Sequence, residues 1–472
     1  MKVIFCTYLI ATIAHCLSAQ NPDIHFQTYF SNQTMRFDYF HTGTAQEEHF
    51  SVDRILNDGP WAGSETVLLD ELNRGLYFFT ITDTSGQTLL YSRGFASVFG
   101  EWQTIGDPNW ATFHESLRFP WPKIPVKLTI QKRDAKNHFV AIWNTIIDPA
   151  SRIVNPAVLA SPYSSFTYIE NGASTNHVDI VILGDGYAAS DMEKFRSDVA
   201  MFTDELFEVE PFKSRKADFN VRAVETPSAT SGVNKPHPGV FNRTPLSMSY
   251  GAFDSERYAL TYDNRTVRDV AATVPYDYMF ILINERTYGG GGIFNLYSTV
   301  AADNTFSKYI FVHEFGHSFA ALADEYYTSD VSYQTTEVLV EPWEPNVTAL
   351  LDPSAIKWKD LVTPGTPLPT PWNKTAVDSF SYEIQKERRA LRAANVPESD
   401  MEALFMREKQ TSLDMFSKNK YKDATGAFEG SNYMQYGLYR PALDCIMYTR
   451  NKQEFCPVCS HAITEMIDMY AR

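Results

Sequence analysis

Over residues 24–147 apolar and polar positions alternate. Val126, Leu128 and Ile130 share one face of a run, Tyr77, Phe79 and Ile81 share a face of another, and polar turn signals at Ser85-Gly86 and residues 134–137 close the runs. A period of two over short segments, with no helical stretch between them, predicts an antiparallel β-sandwich at residues 20–150. Prolines at 149, 156 and 162 and a scarcity of charge mark residues 151–165 as a linker.

Beyond the linker the period changes. Residues 178–183 form a continuous apolar run, read as a buried strand ended by Gly184-Asp185-Gly186. Ser190 with Glu193 three residues on is a capping box, and Phe195, Val199, Phe202 and Leu206 recur on one helical face. Further strands are expected at residues 219–224 and 278–284. This half, residues 166–472, therefore reads as α/β. Residues 383–418 are charged and helix-forming with a break near Pro397, so a solvent-facing helical insertion is expected at about 375–420. Asp185, at a strand end, reads as a turn carboxylate.

Two features concern the compartment. Lys2 precedes an almost uncharged apolar run at residues 3–17, and Leu17-Ser18-Ala19 places small residues before Gln20, so residues 1–19 are expected to be a cleaved signal peptide. The mature chain is then secreted, periplasmic or at the cell surface, and no later stretch is long and apolar enough to span a bilayer. Three cysteines remain after cleavage, Cys445, Cys456 and Cys459. A Cys-x-x-Cys pair is half a zinc site, but no second pair completes it, so a local disulfide from Cys445 to Cys456 or Cys459 is expected. The net charge of -16 disfavours a nucleic-acid partner.

The candidate chemistry is concentrated at His313-Glu314-Phe315-Gly316-His317. Four residues of α-helix turn through about 400°, so both imidazoles project to one side and can share a Zn²⁺ ion. Glu314 sits beside them as a general base for a metal-activated water. The competing reading, two core histidines on a buried helix, is disfavoured because the apolar flanks at residues 309–312 and at Phe319, Ala320 and Leu322 would make unpaired imidazoles costly. Asp324 is the nearest acidic side chain for a third ligand, with Glu325 as the alternative. On a continuing helix Asp324 would stand about 10.5 Å along the axis from His317, too far to share a metal. The helix must therefore break between Ser318 and Ala323, where no glycine occurs.

At these residues the sequence resembles the bacterial IgA-peptidase family of zinc metalloproteases. The likeness rests on residues 313–319 running into Ala323-Asp324-Glu325-Tyr326-Tyr327, on residues 182–187 and 341–348, and on Cys445-Ile446-Met447 with Phe455-Cys456-Pro457-Val458-Cys459. It implies a zinc endopeptidase acting on protein or peptide substrates, with a metzincin-like layout, a β-rich domain ahead of the catalytic one, and Met447 in a methionine turn beneath the metal. The departure is spacing: a metzincin's third ligand falls six residues after the second histidine, here Ala323. Residues 289–292 are expected to be a flexible loop, and residues 293–300 an edge strand that an extended substrate could join. Of the tyrosines flanking Met447, namely Tyr436, Tyr439 and Tyr448, Tyr439 is expected to assist the oxyanion because Gly437 loosens the chain before it.

Two other classes compete. A secreted binding or adhesion protein with an inactive peptidase-like domain would have no need of Glu314 between two metal-spaced histidines. A gluzincin-type peptidase would take its third ligand from a later glutamate, Glu337, Glu341 or Glu344, but Pro342 and Pro345 oppose the helix that ligand requires.

Overall fold

The computed structural model describes residues 24–328, 340–452 and 454–471. The expected signal segment and Glu337 lie outside them.

The alternating half builds two four-stranded sheets. After the short helix α1 (Phe26–Tyr29), the strands are β1 (Phe30–Gly43), β2 (Glu48–Asn57), β3 (Tyr77–Asp83), β4 (Leu89–Phe95), β5 (Ala111–Pro122), β6 (Val126–Arg133), β7 (Phe139–Ile147) and β8 (Val154–Val158), with helix α2 (Val98–Gln103) between β4 and β5. One sheet has the order β5-β1-β2-β8, the other β4-β3-β6-β7. The pairings are antiparallel except that β8 joins β2 in parallel. The two apolar triplets legible in the sequence face each other across β3 and β6, Phe79 opposite Ile130 and Ile81 opposite Leu128. They fill one core with Phe37 and Tyr39 of β1. β8 lies inside the stretch read as a linker; its five residues are too few for alternation to register, and Pro156 hides the pairing.

The second half is built on a mixed six-stranded sheet. Its strands are β9 (Ser165–Ile169), β10 (Val178–Asp185), β11 (Phe219–Val224), β12 (Tyr278–Ile283), β13 (Gly290–Ile293) and β14 (Tyr297–Ala301), in the order β13-β14-β12-β10-β11-β9. The inner four are parallel, and both edge strands run antiparallel to them. Every residue of β10 is buried, because both faces are covered. Ile180 and Ile182 point to the layer of helices α3 (Met192–Leu206) and α5 (Ser307–Ala320), whereas Val181 and Leu183 point to the other face, covered by α2 and by α4 (Asn264–Ala271). The expected capping box at the start of α3 does not form. A short turn at residues 189–191 precedes the helix, the Asp191 carboxylate accepts the Ala188 N–H at 2.9 Å, and Glu193 pairs with Arg196 instead. Asp185 clamps a loop, accepting from Thr244 Oγ1 at 2.6 Å and from the N–H groups of Leu246 and Met248.

Helices α6 (Lys374–Ala393) and α7 (Glu398–Ser417) form the insertion, followed by the hairpin β15 (Phe428–Ser431) and β16 (Met434–Arg440) and the C-terminal helix α8 (Pro457–Tyr470). The insertion is not simply solvent-facing. Val377, Met401, Leu404 and Phe405 are buried, and its charged residues bind the body through Arg286–Glu402 and Arg450–Glu408 pairs at 3.0 and 2.9 Å.

The two halves are joined by buried cations. Arg36 pairs with Asp58 at 2.7 Å and with Asp269 of α4. Arg74 donates to the Ala462 carbonyl at 2.8 Å and stands 3.5 Å from that of Ala320, the last residue of α5, where positive charge complements the helix dipole. Among the described residues no helix is long and apolar enough to cross a membrane.

Candidate metal centre

Helix α5 is apolar around nearly its whole circumference and runs through the core. Phe311 stacks on Phe280 with ring centroids 3.8 Å apart, and Phe315 and Phe319 pack into the same layer. His313 and His317 project together from its remaining face. Each imidazole has its Nδ1 occupied by a backbone carbonyl: Ile446 O at 2.9 Å for His313, Leu322 O at 2.6 Å for His317. A carbonyl can only accept, so each ring carries a proton on Nδ1, and Nε2 is the nitrogen left to face a metal.

The helix ends at Ala320 through Ala321, which takes the left-handed conformation (φ 57°, ψ 32°) although it is not glycine. The break expected between Ser318 and Ala323 is made here, and the Leu322 N–H reaches back to the Gly316 carbonyl. The chain then runs extended beneath the helix, so successive side chains alternate. Asp324 turns toward the histidines and Glu325 away from them. Asp324 Oδ1 lies 3.1 Å from His313 Nε2 and 3.2 Å from His317 Nε2, and the two Nε2 atoms are 3.1 Å apart. This buried Oδ1 has no hydrogen-bond donor. Three ligands about 2 Å from one ion at tetrahedral angles stand roughly 3.3 Å apart, so the triangle fits a metal of zinc's size.

The electrostatics agree. Burial opposes ionisation of Asp324, yet the two imidazoles hold it well below the usual carboxylate range. Burial lowers His317, and Asp324 raises it past that effect to about 9. Both shifts describe one pair, an ionised Asp324 that stabilises positive charge on the imidazoles beside it. Glu314, one residue from His313, is raised by burial, against the pull of the imidazoles.

Behind the triangle, residues 445–449 form a turn in which Ile446 O receives His313 and Met447 O receives the Glu325 N–H at 2.8 Å. Met447 is fully buried, and a Cβ on Gly316 would come within 2.9 Å of its sulfur, so glycine is what lets this turn approach α5.

The strand beside the site is β13 itself, built from the glycines expected to be a loop. A Cβ on Gly292 would lie 2.3 Å from the Glu314 carbonyl oxygen, and one on Gly290 would lie 2.6 Å from the Thr299 carbonyl oxygen. Only glycine permits an edge strand this close to the helix. Gly290 directs its N–H and C=O outward to Arg257 and Ala259, and Gly292, two residues along, directs its own to the same side, at the cleft.

Tyr439 is not at the site. On β16 Leu438 faces the cleft, so Tyr439 turns the opposite way, beside Glu429, and its backbone pairs with Thr348. Tyr436 is exposed, and Tyr448 is stacked between Tyr327 and Phe416. Tyr433 reaches the triangle, its hydroxyl hydrogen-bonded to Asp324 Oδ2, and the Tyr309 hydroxyl stands 3.3 Å from His313 Nδ1. Tyr433 occupies the tip of the β15–β16 hairpin, where Asn432 and Tyr433 both have positive φ (46° and 63°), as a two-residue turn demands. Tyr326 and Arg257 also line the cleft, joined by a 3.3 Å hydrogen bond. Nothing in the local sequence marks Tyr433 or Arg257, since both are brought in by turns. Glu341 is engaged by Lys357 at 3.4 Å and by the Ala349 N–H, and neither it nor Glu344 joins the metal group among the described residues.

The cleft above the triangle has a volume of about 540 Å³. Its walls come from β13, from the N-terminal half at Gly100 and Thr104, from Phe380 and Gln385 of α6, and from the hairpin tip.

Residues 167–467 match the family model described as IgA Peptidase M64, and residues 25–144 match that of the Peptidase M64 N-terminus. No curated protein matches the chain.

Proposed function

Because the chain belongs to the IgA peptidase M64 family and is a metallopeptidase acting on protein substrates, we propose that His313, His317 and Asp324 hold one zinc ion and that Glu314 is the general base. The observation that carries this reading is the triangle of two imidazole nitrogens and a carboxylate oxygen, 3.1–3.2 Å on each side, with both Nδ1 atoms already committed to carbonyls. Zinc bound there supplies Lewis acidity, polarising the scissile carbonyl and lowering the pKa of a water toward about 7.

The chain's own residues do the rest. Glu314 takes a proton from the attacking water and delivers it to the leaving amine. Burial raises its pKa, which suits a carboxylate that must both accept and return a proton. Tyr433, through Asp324 Oδ2, fixes which carboxylate oxygen faces the histidines. The outward N–H and C=O of Gly292 pair with an extended segment, which places a scissile bond over Glu314. Arg257 and Tyr326 face the same cleft and offer donors to the substrate's carbonyls.

We further propose that the enzyme is exported and acts on extracellular proteins, a reading supported by the pattern of residues 1–19. N-terminal sequencing of the exported protein should begin at Gln20. Purified full-length chain should cleave an unfolded protein such as casein, lose that activity on dialysis against a chelator, and regain it with one equivalent of zinc at the triangle. Cleavage that persists with zinc removed would refute the assignment.

A further inference from the structure

Glu325, turned away from the triangle, points into a closed space made by the three cysteines. Cys445 opens the turn that carries Met447, Cys456 immediately precedes α8, and Cys459 lies in the first turn of that helix. All four residues are buried, Glu325, Cys445 and Cys459 completely. One ligand atom from each lies within 4.8 Å of the other three. Cys445 Sγ and Cys459 Sγ are 3.9 Å apart, and Cys459 Sγ is 3.3 Å from Glu325 Oε1. Glu325 Oε1 accepts from Asn346 Nδ2 at 3.1 Å, while the buried Oε2 has no donor.

A disulfide explains this cluster poorly. Bonding any two sulfurs leaves a third thiol and a carboxylate enclosed together with no partner for Oε2, an arrangement that is costly to bury. Four ligands at tetrahedral angles, with sulfur about 2.3 Å and oxygen about 2.0 Å from one ion, place sulfurs roughly 3.8 Å apart and sulfur to oxygen roughly 3.5 Å. The separations found, 3.9 and 3.3 Å, are close to both. Two backbone donors also face the sulfurs. The Cys456 N–H points at Cys445 Sγ (3.3 Å) and the Cys459 N–H at Cys456 Sγ (3.5 Å), both at the positive end of a 14-residue helix.

We infer that Cys445, Cys456, Cys459 and Glu325 bind a second, structural zinc ion, separate from the catalytic triangle. With four protein ligands the site is closed to substrate, so its role is to brace the fold. It ties together the segment that carries Asp324, the turn whose Ile446 carbonyl orients His313, and the start of α8, three segments that come together only in the folded chain. Cys-x-x-Cys is thereby completed not by a second cysteine pair but by a cysteine close in sequence and a glutamate from far along the chain.

The test is metal stoichiometry of the mature chain, residues 20–472, purified without added reductant, with the cobalt-substituted protein examined for thiolate-to-cobalt charge-transfer absorption. The expected results are two zinc ions per chain, three alkylatable thiols after denaturation in chelator, and a thiolate-cobalt band that survives in His317→Ala, which should retain one zinc. Cys459→Ser should lose the band. If that variant does not fold, the band in His317→Ala and the two-zinc content of the wild type still decide. A wild-type content of one zinc that vanishes in His317→Ala, a Cys445–Cys459 disulfide in the intact mass, or cobalt protein without the band would each overturn the inference. If instead zinc is missing from the triangle while the thiolate band persists, the catalytic reading fails and this one stands.

Discussion

Replacing Gly292 with alanine tests how tightly the edge strand is fitted to the metal helix. The added Cβ would lie 2.3 Å from the Glu314 carbonyl oxygen and 3.0 Å from His317 Cβ. Unstrained carbon contacts begin near 3.5 Å, so strand and helix must part by about 1 Å. Overpacking of this kind costs about 1–3 kcal/mol, a fall of about 1–3 °C in the thermal midpoint for a chain of this size. The same displacement moves the backbone that carries Glu314 and His317 relative to the strand proposed to align substrate, and a misplacement of about 1 Å can cost on the order of 100-fold in rate. Gly292→Ala should therefore keep its zinc, melt about 1–3 °C earlier, and turn over a peptide about 100-fold more slowly, as read by a scanning melt and steady-state kinetics. Wild-type turnover with an unchanged midpoint would refute both the close packing and the placement of substrate on this strand.

Other perturbations separate neighbouring roles. Asp324→Ala should lose one zinc and peptide turnover while keeping the thiolate-cobalt band, whereas Glu325→Gln should keep the zinc held by the histidines and with it turnover; the reverse pattern would exchange the two residues. Tyr433→Phe removes the hydroxyl from Asp324 Oδ2 and should weaken zinc affinity about 10- to 100-fold in a competitive chelator titration. Tyr439→Phe should leave affinity and turnover unchanged, because that ring faces away from the cleft. In the N-terminal half, burial raises Glu48, but hydrogen bonds from His41 (2.9 Å) and Lys132 (2.7 Å) bring it from 4.5 down to about 2. Its folded-state pKa lies below the unfolded one, so its contribution to stability is present above pH 4.5 and lost as pH falls toward about 2. Glu48→Gln should flatten that acid limb in a denaturation series, and an unchanged limb would show that the pair does not contribute.

What the sequence discloses and what it hides divide on physical lines. Alternation in β3 and β6, the unbroken apolar run of β10 and the histidine spacing in α5 are periodic signals, and periodicity survives without knowledge of the fold. β13 carries no such signal, since three of its four residues are glycines, selected by contact with a helix some twenty residues later. The choice between Asp324 and Glu325 depends on Ala321 adopting a conformation that composition disfavours. Tyr433 reaches Asp324 only because a hairpin over a hundred residues downstream ends there, and the direction of Tyr439 is set by strand alternation in β16, not by the flexibility that Gly437 lends the chain before it. The cysteines invited a disulfide because their fourth partner, Glu325, lies 120 residues from Cys445 in sequence.

The claim that a metal and Glu314 together perform the hydrolysis is tested most directly by Glu314→Gln. This change preserves size and neighbours while removing the base, so zinc content and melting temperature should match the wild type. Peptide turnover at saturating substrate should fall by about 10²- to 10⁴-fold, the usual contribution of a general base. A Glu314→Gln enzyme that holds its zinc and cleaves at the wild-type rate would contradict the account.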